Sequence, residues 1–296
     1  MTETVTSAPT SSPASTREWL LGRSKRDFVP IRRVFVQRPP GVEPREGPLA
    51  EFVRRRQKRA LLAYLIISAG ISAEHPETGW SVTLPSGAWA RLMDTTLAAQ
   101  PESALTAVSK TLTWLEQREL IARQRVGRSR QVRVTRLLED GSGDPYTRPG
   151  TAGNRDPYIK LPHEFWLKDW SSRLSLPAIA MLLVASAEKP GFELPTERVP
   201  GWYGWSADTA EDGFRELREA GLLHVERTRI EAPQSHTGWA MVNRYTLESP
   251  FSHRSQPTPP TSPRRKIAKR VPAGGKRSSP KTVVTKKSRR TSSGGA

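Results

Sequence analysis

Residues 103–126 read Ser103-Ala-Leu-Thr-Ala-Val-Ser-Lys-Thr-Leu-Thr-Trp-Leu-Glu-Gln-Arg-Glu-Leu-Ile-Ala-Arg-Gln-Arg-Val126, and Gly127-Arg-Ser-Arg-Gln-Val-Arg-Val134 follows. Val108, Leu112 and Leu115 recur at i, i+4 and i+7. That is the buried stripe of an amphipathic helix, and it predicts a helix from an N-capping Ser103 to about Arg118. The apolar period then falls to two. Residues 122–126 and 130–134 are expected to form the arms of a hairpin that turns at Gly127-Arg128-Ser129.

Upstream, residues 49–69 are expected to form one helix, charged in its first half and apolar in its second, with Gly70 as the stop. Residues 80–84 are expected to form a short strand, and residues 87–93 a small helix opened by Pro85-Ser86. Helix, strand, helix, turn, helix and two-stranded ribbon is the order of a winged helix-turn-helix. The order returns downstream. Residues 158–161 are a short extended run, Ser175 caps a helix to about residue 187, and residues 192–194 form a brief strand. Residues 199–203 can make only a turn of helix, Ser206 caps a helix over 207–220 ended by Gly221, and residues 222–230 and 239–247 make a longer hairpin. At an offset of 102 positions, Leu115-Glu-Gln-Arg-Glu-Leu-Ile121 falls on Leu217-Arg-Glu-Ala-Gly-Leu-Leu223, which points to a repeated module.

The expected architecture is therefore α+β. A flexible segment (1–47) precedes a winged helix-turn-helix (48–138), a linker (139–156), a second winged-helix-like module (157–251) and a disordered basic tail (252–296). The charge divides along the same lines. The chain of 296 residues holds 47 basic and 29 acidic groups, net +18. Residues 48–138 carry 14 basic and 7 acidic groups, residues 157–251 carry 10 and 13, and residues 252–296 carry 13 and none. The tail reads either as a solvated solubiliser or as an arm that binds phosphates without regard to sequence, and the complete lack of acids favours the arm. A surplus of this size points to a polyanionic partner, here double-stranded DNA.

Only the helix face opposite the apolar stripe can enter a groove. On it fall Ser103, Thr106, Lys110, Thr113 and Gln117, without a carboxylate by this reading. Hydroxyls, an amide and one cation can bond phosphates and base edges or touch a thymine methyl. The hairpin adds Arg123, Arg125, Arg128, Arg130, Arg133 and Arg136, a cationic wing suited to phosphate or a minor groove. The alternative for these arginines is a solvated edge that discourages strand pairing. In the second module the same positions hold Asp208, Asp212, Arg215 and Glu219, and three carboxylates against phosphate repel. That module is expected to pack on the first, to dimerise or to bind another protein. Trp166, Trp170, Trp202, Tyr203, Trp205 and Trp239 are expected to be mostly core, with one or two left as interface anchors.

The run Thr106-Ala-Val-Ser-Lys-Thr-Leu-Thr-Trp-Leu-Glu-Gln-Arg-Glu-Leu-Ile121 resembles the recognition helix and exit of winged-helix regulators of the MarR and related bacterial families. Glu119 stands where those families usually place glycine. The tandem arrangement resembles plasmid replication initiators and actinobacterial DNA-binding proteins of plasmids and integrated elements. The resemblance implies sequence-specific DNA binding and leaves open transcription control or replication.

Other functions find little support. There is no cysteine, and the five histidines never pair at metal-ligand spacing. In His163-Glu164-Phe-Trp-Leu167, leucine occupies the place of a zinc protease's second histidine. Gly141-Ser-Gly143 lacks the third glycine of a dinucleotide loop, and no G-x-x-x-x-G-K-[ST] loop is present. Asp208 and Asp212, one turn apart, have no third ligand. No catalysis, metal or cofactor is expected. The apolar runs 60–67 and 180–184 fall short of the ~20 residues of a bilayer span. Residues 1–16 lack the apolar core of a secretory signal, so the expected location is the cytoplasm, on the nucleoid. The leading role is a transcriptional regulator. The alternatives are a plasmid or mobile-element replication initiator and a nucleoid-associated structural protein.

Overall fold

The hydroxyl of Ser12 accepts the Ser15 amide, and Pro13 occupies the first turn, where its missing N–H costs nothing; a helix therefore starts here, α1 (Pro13–Gly22). A computed structural model describes residues 11–96, 100–127, 130–151 and 156–252. After α1 come β1 (Phe28–Arg32), α2 (Leu49–Arg54), α3 (Lys58–Gly70), β2 (Ser81–Pro85), α4 (Ser86–Leu92), α5 (Pro101–Glu116), β3 (Ile121–Val126) and β4 (Gln131–Arg136). The second half holds β5 (Tyr158–Pro162), α6 (Glu164–Leu167), α7 (Trp170–Arg173), α8 (Leu176–Ala187), β6 (Phe192–Glu193), α9 (Val199–Tyr203), α10 (Ala207–Glu219), β7 (Leu223–Glu231) and β8 (Trp239–Leu247). The fold is mixed α+β, and no described helix is long and apolar enough to cross a membrane.

Two three-stranded antiparallel sheets have the same construction, in order β2-β4-β3 and β6-β8-β7. In each, a short helix and a longer one intervene between the first strand and the hairpin. α10 packs on α8 so closely that a Cβ on Gly213 would lie 2.6 Å from the Pro177 carbonyl oxygen. The helix exits match in detail. Leu120 N–H donates to Leu115 O and Glu119 N–H to Glu116 O; Leu222 N–H donates to Leu217 O and Gly221 N–H to Arg218 O. This closure needs a left-handed residue, which is Glu119 (φ 56°) in the first copy and Gly221 (φ 70°) in the second. A side chain in that region costs roughly 1–2 kcal/mol. Glu119→Gly is accordingly expected to stabilise the protein by about 1 kcal/mol and Gly221→Ala to destabilise it by about as much, read as opposite shifts of the urea midpoint.

The N-terminal segment departs from expectation. Residues 12–47 are part of the fold, with Leu20, Leu21, Val29, Ile31, Phe35 and Val36 all buried. Phe35 stacks on Tyr64 of α3, with ring centroids 5.0 Å apart, and Phe52 of α2 meets Trp114 of α5 at 4.7 Å. The Arg17 guanidinium donates to both oxygens of Asp94, each at 2.7 Å. β1 pairs antiparallel with β5, from Phe28↔Pro162 to Arg32↔Tyr158, so the start of the chain is stitched to the second half. Leu20 packs against Gly70 and Arg17 pairs with Asp94, so the N-terminal segment is joined to residues 48–138, and both modules lie in one compact unit.

The expected linker is anchored as well. Glu139 is fully buried, takes Arg32 at 2.6 Å and Arg136 at 2.7 Å, and accepts the Arg32 amide. Arg136 therefore does not belong to the wing. It is 1% exposed, donates to Pro30 O at 3.1 Å and lies over the Tyr146 ring at 4.0 Å. Burial drives the Tyr64 hydroxyl beside this cluster far up, and Arg136 opposes the shift.

The single helix expected over 49–69 is two. α2 ends as Gln57 N–H reaches back to Phe52 O, and Arg56 turns left-handed (φ 55°). Arginines are good helix formers, so propensity does not account for the break; Phe52 before it and Tyr64 after it are both buried. The run expected to be extended over 158–161 is β5, and its partner is β1.

His163, just before α6, is buried, and its Nε2 has no hydrogen-bond partner among the described residues. Burial holds the imidazole below its ordinary value of 6.5, with Asp27 and Glu164 opposing. The folded state thus favours neutral His163. Its contribution to stability is complete above pH 6.5 and is lost as pH falls from there towards the depressed folded value. Urea midpoints compared at pH 7.5 and 5.5 should fall less in His163→Gln than in the parent.

Candidate nucleic-acid interface

α5 starts at Pro101 with Gln100 as its cap, so Ser103 lies in the first turn and is not the cap. Ala104, Val108, Leu112 and Leu115 are buried as the stripe requires. Ser103, Thr106, Lys110 and Gln117 are exposed on the other side, and Thr113 is half-buried. The Thr106 and Thr113 hydroxyls donate back to the Glu102 and Ser109 carbonyls, both at 2.9 Å, which leaves their oxygens free to accept. The expectation of a face without acids fails at its beginning. Glu102 lies beside Ser103, Thr106 and Lys110 around a hollow of about 670 Å³.

The far wall of that hollow is Gln57 and Arg59, at the start of α3. The arginine run at 54–59 is visible in the sequence, but its place beside α5 follows from the packing of two helices distant in the chain.

The other flank of α5 faces the hairpin. Leu105, Val108 and Leu112 with Val132 floor a second hollow of about 510 Å³, and Arg123, Arg125 and Arg130 rim it. Register explains the grouping. Arg123 pairs with Val134 and Arg125 with Val132, so these two arginines share the sheet face turned to α5. Arg133 pairs with Gln124 and Thr83, which puts it on the opposite face of the sheet, where its guanidinium meets their side chains at 3.4–3.5 Å. The structure therefore separates Arg133 from Arg123 and Arg125. Arg128, at the hairpin tip, lies outside the described residues. Arg130 is held near α4, its carbonyl accepting both the amide and the hydroxyl of Ser86.

Not every cation here is available. Arg123 is tied to Glu116 at 2.9 Å and to the Ser109 carbonyl at 3.1 Å. Arg54, Arg55 and Arg118 all reach Glu51. Among the described residues, Arg56, Arg59, Lys110, Arg125 and Arg130 have no ion pair, and all five are exposed. The arrangement is an exposed helix face of hydroxyls, an amide and an ammonium, with Glu102 at its beginning, between Arg59 on one flank and Arg125 and Arg130 on the other. Its chemistry is hydrogen bonding and charge neutralisation.

In the second module, Asp208, Asp212, Arg215 and Glu219 are exposed on α10, and Arg215 is already paired with Asp212. Trp166, Tyr203 and Trp205 are buried, while Trp170, Trp202 and Trp239 are half-buried. The exposed tryptophan is Trp19 of α1, which the sequence pattern does not single out. The basic tail from 253 onward lies outside the described residues. No protein-family model matches the chain, and no curated protein or solved structure is significantly similar to it.

Proposed function

We propose that the chain binds double-stranded DNA at specific sequences and acts as a transcriptional regulator. Its first module works as a winged helix-turn-helix, with α5 in a major groove and the β3–β4 hairpin on the flanking backbone. The observation that carries this reading is the contrast between two helices in modules of one topology. α5 offers Ser103, Thr106, Lys110 and Gln117 between free arginines on both flanks, and the matching positions of α10 offer three carboxylates. An anion as dense as duplex DNA is accepted by the first surface and repelled by the second. The role is one of binding and not of catalysis.

The test is selection of duplexes from a random pool with the full chain. Enrichment of one motif supports the reading, and an unenriched pool overturns it. Mapping of bound sites in the genome then separates the roles. Promoter-proximal single sites indicate a regulator, repeated sites at an origin indicate an initiator, and scattered coverage indicates a nucleoid protein.

The tail contributes sequence-independent affinity on this reading. A chain ending at Ser252 loses 13 basic residues. It is expected to bind selected and scrambled duplexes more weakly by the same factor, with a shallower slope of log K against log salt, by about 0.9 for each phosphate no longer neutralised. Anisotropy titrations over a salt series measure this. A fall in selectivity at unchanged affinity would assign the tail a different part.

A further inference from the structure

Away from α5 and its hairpin, a cavity of about 680 Å³ lies between the N-terminal segment and the second module. Its size falls within the roughly 300–1,000 Å³ of small-molecule sites. One wall comes from residues 32–45, the other from residues 188–203, and residues 138–140 and 156–157 close it. Val34 and Pro39 on one side face Phe192, Leu194 and Trp202 on the other, which makes much of the lining apolar.

The charges in this lining are unevenly satisfied. Every carboxylate is engaged. Glu139 holds Arg32 and Arg136, and Asp156 holds Arg32 at 2.9 Å. Glu188 holds Arg33 at 2.9 Å, Glu193 holds Arg244 at 3.1 Å, and Asp140 accepts the Ser142 amide at 3.0 Å. Two arginines have no such partner. Arg38 and Arg45 face each other across a small hairpin, where the Arg38 amide donates to the Arg45 carbonyl at 2.8 Å. Among the described residues neither makes an ion pair. The Arg38 guanidinium makes a long bond to Pro44 O, at 3.4 Å. Arg45 lies over Trp202 at 5.4 Å, and its Nε is buried with no hydrogen-bond partner among the described residues.

A buried guanidinium nitrogen without an acceptor is costly, and a carboxylate or phosphate relieves it with charge-assisted bonds. We propose that this cavity binds a small organic anion, its acidic head on Arg38 and Arg45 and its apolar body against Val34, Phe192, Leu194 and Trp202. The site stands apart from the DNA-binding surface, since no residue of α5 or its hairpin takes part. A ligand held there bridges the N-terminal segment and the second module.

The test is calorimetric titration of the full chain with decanoate, decyl phosphate and decanol as probes. Decanoate or decyl phosphate should bind at one site per chain, with the tighter of the two identifying the preferred head, and decanol should show no saturable binding. Arg38→Gln/Arg45→Gln keeps the whole tail, so it separates the cavity from diffuse attraction to basic residues. It should weaken binding at least tenfold with an unchanged circular dichroism spectrum. Pro40→Trp, at an exposed position on the rim, gives an independent steric block and should weaken binding as well. Saturation by neither anion, equal binding of decanol, or unchanged affinity in both variants would overturn the proposal.

Discussion

Lys110→Glu is expected to lose at least about thirtyfold in affinity for a duplex selected by the parent chain, while binding to a scrambled duplex changes much less. Removal of the lysine accounts for roughly 1–3 kcal/mol, and a carboxylate set against phosphate adds repulsion. Lys110 is the cation in the middle of the exposed α5 stripe, with Thr106 one turn before it and Gln117 two turns after. The tail's 13 basic residues are untouched, so affinity independent of sequence persists. Anisotropy titrations at one fixed salt concentration measure both duplexes. The companion variant is Asp212→Lys, which makes the same position of α10 resemble α5. It should leave the selected duplex little changed, because the other acids of that face remain. If Lys110→Glu bound the selected duplex as the parent does, α5 would not be the element that reads sequence.

Glu139→Ala is expected to destabilise the protein by about 3–5 kcal/mol, the usual result of removing one member of a buried ion cluster. The cause is the pair of guanidinium groups left behind. Arg32 and Arg136 are 4% and 1% exposed, and both face Tyr146. Arg32 retains Asp156 and the Thr147 carbonyl, but Arg136 loses its carboxylate and keeps neutral partners such as the Pro30 carbonyl. Ordinary domains have about 5–15 kcal/mol in total, so the loss is a large share of stability. Urea unfolding of the full chain measures it. Glu51→Ala serves as the control. Glu51 contacts three arginines at the surface, and its removal should cost less than about 1 kcal/mol. An equal effect of the two variants would show that the Glu139 cluster does not hold the halves together.

The Glu139 cluster also marks the limit of sequence reading. Arg136 continues the arginine series of the hairpin, and nothing local separates it from Arg130. Its burial depends on β1, more than 100 positions earlier, which supplies Arg32 and the Pro30 carbonyl. The same distance hid the role of the N-terminal segment. Ser, Thr and Pro dominate its first 16 residues. The apolar residues that enter the core, such as Leu20, Ile31 and Phe35, are too few to show a period.

What the sequence determined alone is local. Val108, Leu112 and Leu115 defined the inner side of α5, and thereby the side that faces outward, because a helix repeats every 3.6 residues whatever surrounds it. Alternation located both hairpins, Ser175 and Ser206 fixed two helix starts through their side-chain caps, and the matched exits at Glu119 and Gly221 came from one spacing. Tertiary structure alone decided the rest. It divided the wing, with Arg123 and Arg125 on one sheet face and Arg133 on the other, since strand register sets which residues are neighbours. It brought Arg59 beside α5 and set Arg38 and Arg45 across a cavity from Trp202. Those relations join residues far apart in the chain, and the burial of shared apolar surface that enforces them has no local period to read.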